Sequence, residues 1–282
     1  MGLQDVFFQL RLPFDSAEAR EISQRIQEEI YYHAVLESSR LAEKHGSHPT
    51  YAETRAAMGK LQMDLWDTFN FQPKDPSRWT ELRARIAKFG LRNSLMIAIA
   101  PTATIASIVG SYEAIEPQVS NVFKRETLSG EFLQVNRYLV EELRLLDLWN
   151  DDTRAKIKLA NGSIQGTAMI PDSDNSVYRT VWEIPMKSLV DMAADRGPFI
   201  DQSASLNLFM ESPNIGKLSS MYMYAWEKGL KTTYYLRSRP ATEISKTLVA
   251  AEKEDKEPAP EIDPAAAVAC SLENPETCEV CQ

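Results

Sequence analysis

Apolar residues along this chain switch between helical and strand-like spacing, and the switches divide it into segments. Ile22, Ile26 and Ile30 recur every fourth position, with Ala34 and Leu41 continuing the stripe. That spacing predicts one long amphipathic helix ending at Gly46. Ahead of it, a mixed apolar run over residues 3–12 enters Pro13, and Asp15 stands three residues before Glu18 in the form of a capping box. Residues 46–80 are polar and aromatic without a sustained period, so Trp66 and Trp79 are the expected anchors of an irregular excursion. A short helix is predicted over 79–89, stopped by Gly90.

The texture then changes. Leu95-Met96-Ile97-Ala98-Ile99-Ala100 is a continuous apolar run, which predicts a strand buried on both faces. It breaks at Pro101 into a small, hydroxyl-bearing segment. Helices are predicted over 130–146 and 175–195, and Gly197-Pro198 marks a turn into another short element. Leu218, Met221, Tyr222 and Ala225 make one apolar stripe over 217–226, with Gly229 as its cap and a β-prone run over 230–236. Internal repeats are absent. Strands alternating with long helices predict an α/β fold built on a parallel sheet or barrel.

Composition and charge narrow the function. The chain has 282 residues, enough for one large α/β domain or two small ones, and its 44% hydrophobic content is ordinary for a soluble protein. With 40 acidic and 31 basic residues its net charge of −9 does not favour nucleic acid as a partner. Part of that deficit lies in AEKEDKEPAPEIDP, residues 251–264, with six acids, two lysines and three prolines. Such a segment has too little to bury to offset its ordering entropy, so the expected organisation is a folded unit over 1–250 and a disordered tail over 251–282. No apolar run reaches the roughly 18 residues of a membrane span, and the start has no signal-peptide pattern. All three cysteines, Cys270, Cys278 and Cys281, lie in that tail. A long cysteine-free body differs from a disulfide-stapled secreted domain, so a cytoplasmic location is expected.

Three places could carry chemistry. Pro101-Thr102-Ala103-Thr104-Ile105 joins a buried strand to a helix, where free amides and the positive helix end suit a phosphate. The same pattern, lacking a P-loop lysine or Gly-x-Gly, also reads as a threonine-capped turn. Tyr234 and Tyr235 are adjacent. On a strand they would face opposite ways, one core and one surface, or else pass an electron and a proton between two sites. Cys278-Glu279-Val280-Cys281 is a dithiol on a mobile tether, suited to disulfide exchange with a buried site, to half a zinc site, or to neither. Cys270 is read as a bystander. His33, His45 and His48 lie on or just beyond the first long helix and read as surface residues, so no metal site is expected.

Taken together these three features resemble the large subunit of class I ribonucleotide reductase, in its C-terminal part. The likeness runs through Leu91-Arg92-Asn93-Ser94, Ala100-Pro101-Thr102-Ala103-Thr104, Ile115-Glu116-Pro117, Leu128-Ser129-Gly130-Glu131-Phe132 and Asn161-Gly162-Ser163-Ile164-Gln165. It continues through Arg196-Gly197-Pro198-Phe199-Ile200-Asp201-Gln202-Ser203, Gly229-Leu230-Lys231-Thr232, Tyr234-Tyr235-Leu236-Arg237 and the closing Cys-x-x-Cys. The resemblance implies the C-terminal portion of a ten-stranded α/β barrel. It implies a ribonucleoside diphosphate held at Pro101, Thr102, Ala103, Thr104 and Ile105, with Ile105 contributing backbone where relatives often carry a hydroxyl. It also implies that Tyr234 and Tyr235 are the last phenols of a radical path from a metal-containing small subunit, Tyr234 lying nearer the active site. That subunit's own tail would dock near 217–226. Cys278 and Cys281 would re-reduce the active-site disulfide and be recharged by thioredoxin or glutaredoxin. No cofactor is expected to bind this chain directly.

One departure accompanies the likeness. The family's three active-site cysteines, with their asparagine and glutamate, lie upstream of the point matching Met1, and this chain has no cysteine before Cys270. An N-terminal part of the large subunit is therefore an expected partner. Without it a half barrel would expose strand edges and apolar surface.

Overall fold

The computed structural model describes residues 1–66, 73–127, 130–166 and 170–239. The linker and the Cys-x-x-Cys segment lie outside them. The run entering Pro13 is helix α1, Leu3–Leu10. Helix α2, Ala17–His45, is the long predicted helix, with Gly46 as its C-cap. Its start differs from expectation: Ser16 caps it by accepting from the Ala19 amide, while Asp15 instead pairs with Arg179 at 2.5 Å. Its buried face differs too. Ala19, Ser23, Gln27, Tyr31, Val35 and Ala42 face inward, whereas Ile26 and Ile30 are exposed. Small and polar residues let other segments approach α2 closely, and that contact outweighs the isoleucine stripe. His33 lies 3.6 Å from Glu29 one turn earlier, an acidic neighbour overlooked in the periodicity.

After short 3-10 turns at Tyr51–Glu53 and Gln62–Leu65, helix α3 spans Pro76–Phe89 and ends at Gly90. Asp75 starts it by accepting from the Ser77 and Arg78 amides, three residues ahead of the expected beginning. Helix α4 is Ala103–Val109. The predicted helix over 130–146 divides. Its first part pairs with Val122–Thr127 (β1) as the antiparallel strand Gly130–Val135 (β2). Its second part is helix α5, Arg137–Leu145, capped by Asn136. Helix α6, Asp151–Leu159, follows. The predicted helix over 175–195 also divides, into α7 (Asp172–Val177), a 3-10 turn at Val181–Glu183, and α8 (Met186–Arg196). Pro185 stands between the last two, and a proline cannot supply the amide that a continuous helix needs there. Strand β3 is Leu208–Phe209, helix α9 is Ile215–Glu227, and strand β4 is Leu236–Arg237, parallel to β3.

Three apolar clusters hold these elements. Phe7, Phe14, Val190, Met192, Leu208 and Met221 join α1, α8, β3 and α9. Phe8, Leu139, Leu143, Ile157, Ile164 and Tyr178 join α1 to α5 and α6. Tyr31, Val35, Trp79, Leu82, Ile86 and Phe199 bind α2 to α3. Helix α1 therefore contributes one phenylalanine to each of two cores. Strand pairing among the described residues is limited to the hairpin, the β3–β4 pair and two isolated bridges.

Candidate functional site

The apolar run over 95–100 feeds the site, but it is not buried on both faces. Leu95, Ala98 and Ala100 are exposed, and one residue, Ile99, forms a parallel bridge with Ala204. Main-chain bonds extend the pairing: Gln202 donates to Ile97 O at 3.0 Å, Ile99 to Ser203 O at 3.1 Å, and Ser205 to Ile99 O at 2.8 Å. Asp201 fixes the beginning of the run by accepting from the Met96 and Ile97 amides at 2.9 and 2.7 Å. These bonds aim the chain into Pro101.

The expected turn lies there. Thr102 adopts φ +54°, a left-handed conformation costly for a branched residue, and α4 begins immediately after it. No side chain caps α4, so its first-turn amides are free of a side-chain acceptor. The Thr102 hydroxyl accepts from the Ala114 amide at 3.0 Å. Its own proton remains available for donation. Pro101, Ala103, Thr104 and Ile105 are exposed. This corner offers amides, one hydroxyl proton and small side chains on an open surface.

On its other edge the 202–209 segment meets the tyrosines. Leu206 donates to Tyr234 O at 3.0 Å, Leu208 to Tyr235 O at 2.8 Å, and Met210 to Arg237 O at 2.9 Å. Lys231 donates to Ile200 O and Gln202 O, and Thr232 to Ala204 O. The two phenol rings lie on each other, with centroids 3.6 Å apart and planes at 34°. Tyr234 is 59% and Tyr235 45% exposed, so the alternative of one core and one surface ring does not hold. Hydrogen bonding to Tyr235 pushes the Tyr234 phenol above its ordinary pKa. Segment 202–209 thus carries the turn-bearing segment on one side and the tyrosine pair on the other.

A polar cluster tightens this centre. The Asn207 amide donates to both Glu116 carboxylate oxygens at 3.0 and 2.8 Å, and its main-chain N–H donates to Glu116 Oε1 at 2.9 Å. Burial raises the Glu116 pKa. Arg237 Nε donates to Asn207 Oδ1 at 3.1 Å, and its guanidinium lies 5.4 Å from the Tyr235 ring centroid. Asn207 carried no spacing signal in the sequence. Asp201, Glu116 and Arg237 stood within recognisable motifs, but their contacts depend on distant partners. Cys278 and Cys281 lie outside the described residues. Among the described residues, no three His, Cys, Asp or Glu side chains gather as metal ligands.

The family description "Ribonucleotide reductase, barrel domain" matches residues 1–236. The chain belongs to that family. It is 46% identical to the ribonucleoside-diphosphate reductase large subunit of Arabidopsis thaliana, over 99% of this chain and 35% of the relative. The corresponding protein of Danio rerio is 43% identical, over 99% of this chain and 36% of the relative. The Trypanosoma brucei brucei large subunit is 48% identical, over 87% and 30%. Among solved structures, the Actinobacillus ureae class Id ribonucleotide reductase alpha subunit superposes with a TM-score of 0.65 at 23% identity, covering 86% of this chain and 38% of that one. The α/β barrel expectation is thereby borne out, although strands are few among the described residues. The chain spans 30% to 36% of the length of these three relatives.

Proposed function

We propose that this chain supplies the C-terminal part of a ribonucleoside-diphosphate reductase large subunit. The observation that carries the reading is segment 202–209, which pairs through Ile97 and Ile99 with the run leading into the turn at 101–105 and, through Leu206 and Leu208, with Tyr234 and Tyr235. In the proposed reaction a ribonucleoside diphosphate and a dithiol give a deoxyribonucleoside diphosphate, a disulfide and water. The free amides of Ala103, Thr104 and Ile105 and the Thr102 hydroxyl bind diphosphate oxygens. Helix-start amides favour that negative charge. Tyr235 and Tyr234 relay an oxidising equivalent arriving from a metal-containing small subunit, each phenol losing a proton and an electron together and regaining both in turn. Contact between the rings keeps that step short. The reducing thiols come from an N-terminal part of the large subunit. Cys278 and Cys281 then exchange with the disulfide formed there, and thioredoxin or glutaredoxin restores them. The reaction needs neither nucleic acid nor a membrane. No helix among the described residues is long and apolar enough to cross one, and the reading places the reaction in the cytoplasm.

The exposed turn also fits a phosphorylated-ligand binder with no radical chemistry, or a barrel piece that serves as scaffold. One experiment separates these readings. Co-expression with the N-terminal part of the large subunit and a small subunit is expected to give reduction of ribonucleoside diphosphates. A correctly assembled but inactive complex, beside an active intact enzyme, would reject the catalytic reading.

A further inference from the structure

Tyr235 is close to half exposed, and a surface phenol has few constraints on its ring. Among the described residues two groups border it: Tyr234, with centroids at 3.6 Å, and the Arg237 guanidinium, 5.4 Å from the ring centroid. Arg237 is itself exposed, and a free arginine at the surface would sample many rotamers. It is held instead by Asn207, whose carbonyl oxygen accepts from Nε at 3.1 Å. Asn207 cannot rotate without losing its other bonds, because its amide nitrogen is committed to both Glu116 oxygens. Glu116 is in turn tethered through its own loop, since Ala114, two residues earlier, is held by the Thr102 hydroxyl.

We infer that Glu116 and Asn207 are positioning residues that hold Arg237 against Tyr235, and that this relay fixes the geometry of the outer phenol during radical transfer. The inference rests on the reading of the tyrosine pair given above. A planar guanidinium suits the task, because its fork can serve Asn207 while its charge remains near the ring face. Lysine offers no equivalent. Its ammonium could approach the ring or the amide, but it lacks the rigid plane that links them. The relay also gives the turn and the tyrosines a common support, since Glu116 stands on the loop that Thr102 anchors.

The test uses the assembled enzyme, with the rest of the large subunit and a small subunit present. Arg237→Gln should lower kcat about threefold to tenfold and leave the KM for the nucleotide unchanged, the scale of a lost cation–ring contact. Glu116→Gln, which leaves Asn207 a weaker acceptor, should act in the same direction, and Arg237→Lys should restore only part of the loss. As a readout that folding alone would not move, position 235 is replaced by an oxidisable aminotyrosine, and its trapped radical is recorded by electron paramagnetic resonance. The spectrum should show one ring orientation in the parent and a spread of orientations in Arg237→Gln and Glu116→Gln. Unchanged kcat and unchanged spectra in Arg237→Gln, with Tyr235→Phe inactive, would overturn the inference and leave the relay reading intact. An active Tyr235→Phe enzyme would overturn both. A shifted Arg237→Gln spectrum beside a parent-like Glu116→Gln spectrum would remove Glu116 from the relay and so reject the inference as stated.

Discussion

Single residues decide whether this chain takes part in chemistry or only in packing. Tyr234→Phe keeps the ring that stacks on Tyr235 and deletes the phenolic proton. Turnover of the assembled enzyme should fall by at least about a hundredfold, while the thermal midpoint stays constant. Diphosphate binding, measured by equilibrium dialysis, should also persist. A variant that turns over normally would leave the tyrosines as structural aromatics. The tail dithiol has a comparable single-residue test. Replacing Cys278 and Cys281 by serine should abolish turnover driven by thioredoxin but leave a small-molecule dithiol partly effective, because that reductant can diffuse to a buried disulfide. Equal loss with both reductants would contradict delivery by the tail. The pattern around these residues was unevenly legible. Adjacent tyrosines and a Cys-x-x-Cys are visible in any sequence. That Tyr235 faces Arg237, that Arg237 is held by Asn207, 30 positions away, and that Asn207 is held by Glu116, 91 positions further, depends on long-range contact.

Among the elements, periodicity located helices well and their buried faces poorly. Helix α2 shows why. Its isoleucine stripe was the strongest helical signal in the chain, yet Ile26 and Ile30 remain exposed while Ser23, Gln27 and Glu28 are buried. Glu28 is fully buried, and its carboxylate is compensated there by Trp79 Nε1, which donates to it at 3.1 Å, and by Arg25 and Arg78 beside it. A buried carboxylate with such partners is tolerated, and an isoleucine at the surface costs little. The helix start is similarly local and similarly misread. Ser16→Ala should destabilise the fold by about 1 kcal/mol in chemical denaturation, through loss of the hydroxyl oxygen that accepts from the Ala19 amide. The apolar run over 95–100 gives the complementary lesson. Its composition predicted a two-faced burial that these residues do not have: Leu95, Ala98 and Ala100 are exposed, and among the described residues the run is bridged at Ile99 to Ala204. Its position depends on Asp201. Asp201→Ala, which leaves the Met96 and Ile97 amides without acceptors, should cost about 1–3 kcal/mol. The same variant should weaken diphosphate binding, because the turn at 101–105 is aimed from this run.

For the molecule as a whole, three apolar clusters pack the described elements, while several apolar side chains near the turn stay exposed. Leu143, on α5, is fully buried in the cluster that joins α5 to α6, so Leu143→Ala should lower stability by about 2–5 kcal/mol in urea denaturation. Around the turn, by contrast, Leu95, Ile105, Ile108 and Val109 are exposed, Ile108 at 80%. On the proposal that an N-terminal part of the large subunit covers these side chains, they are exposed apolar surface in its absence. The isolated chain should therefore bind a hydrophobic dye strongly and self-associate in light scattering, and co-expression with the N-terminal part of the large subunit should suppress both. Family membership, the helices α2, α3 and α9 in outline, and the order of turn, tyrosines and dithiol were legible in the sequence, because motifs and short-range periodicity are properties of neighbouring residues. Which face of α2 is buried, where the helices over 130–146 and 175–195 divide, and how Glu116 and Asn207 link to the Arg237 that lies over Tyr235 were decided by tertiary structure. These outcomes depend on contacts between residues far apart in the chain, where the geometry of close approach and the need to satisfy buried polar groups override the local pattern.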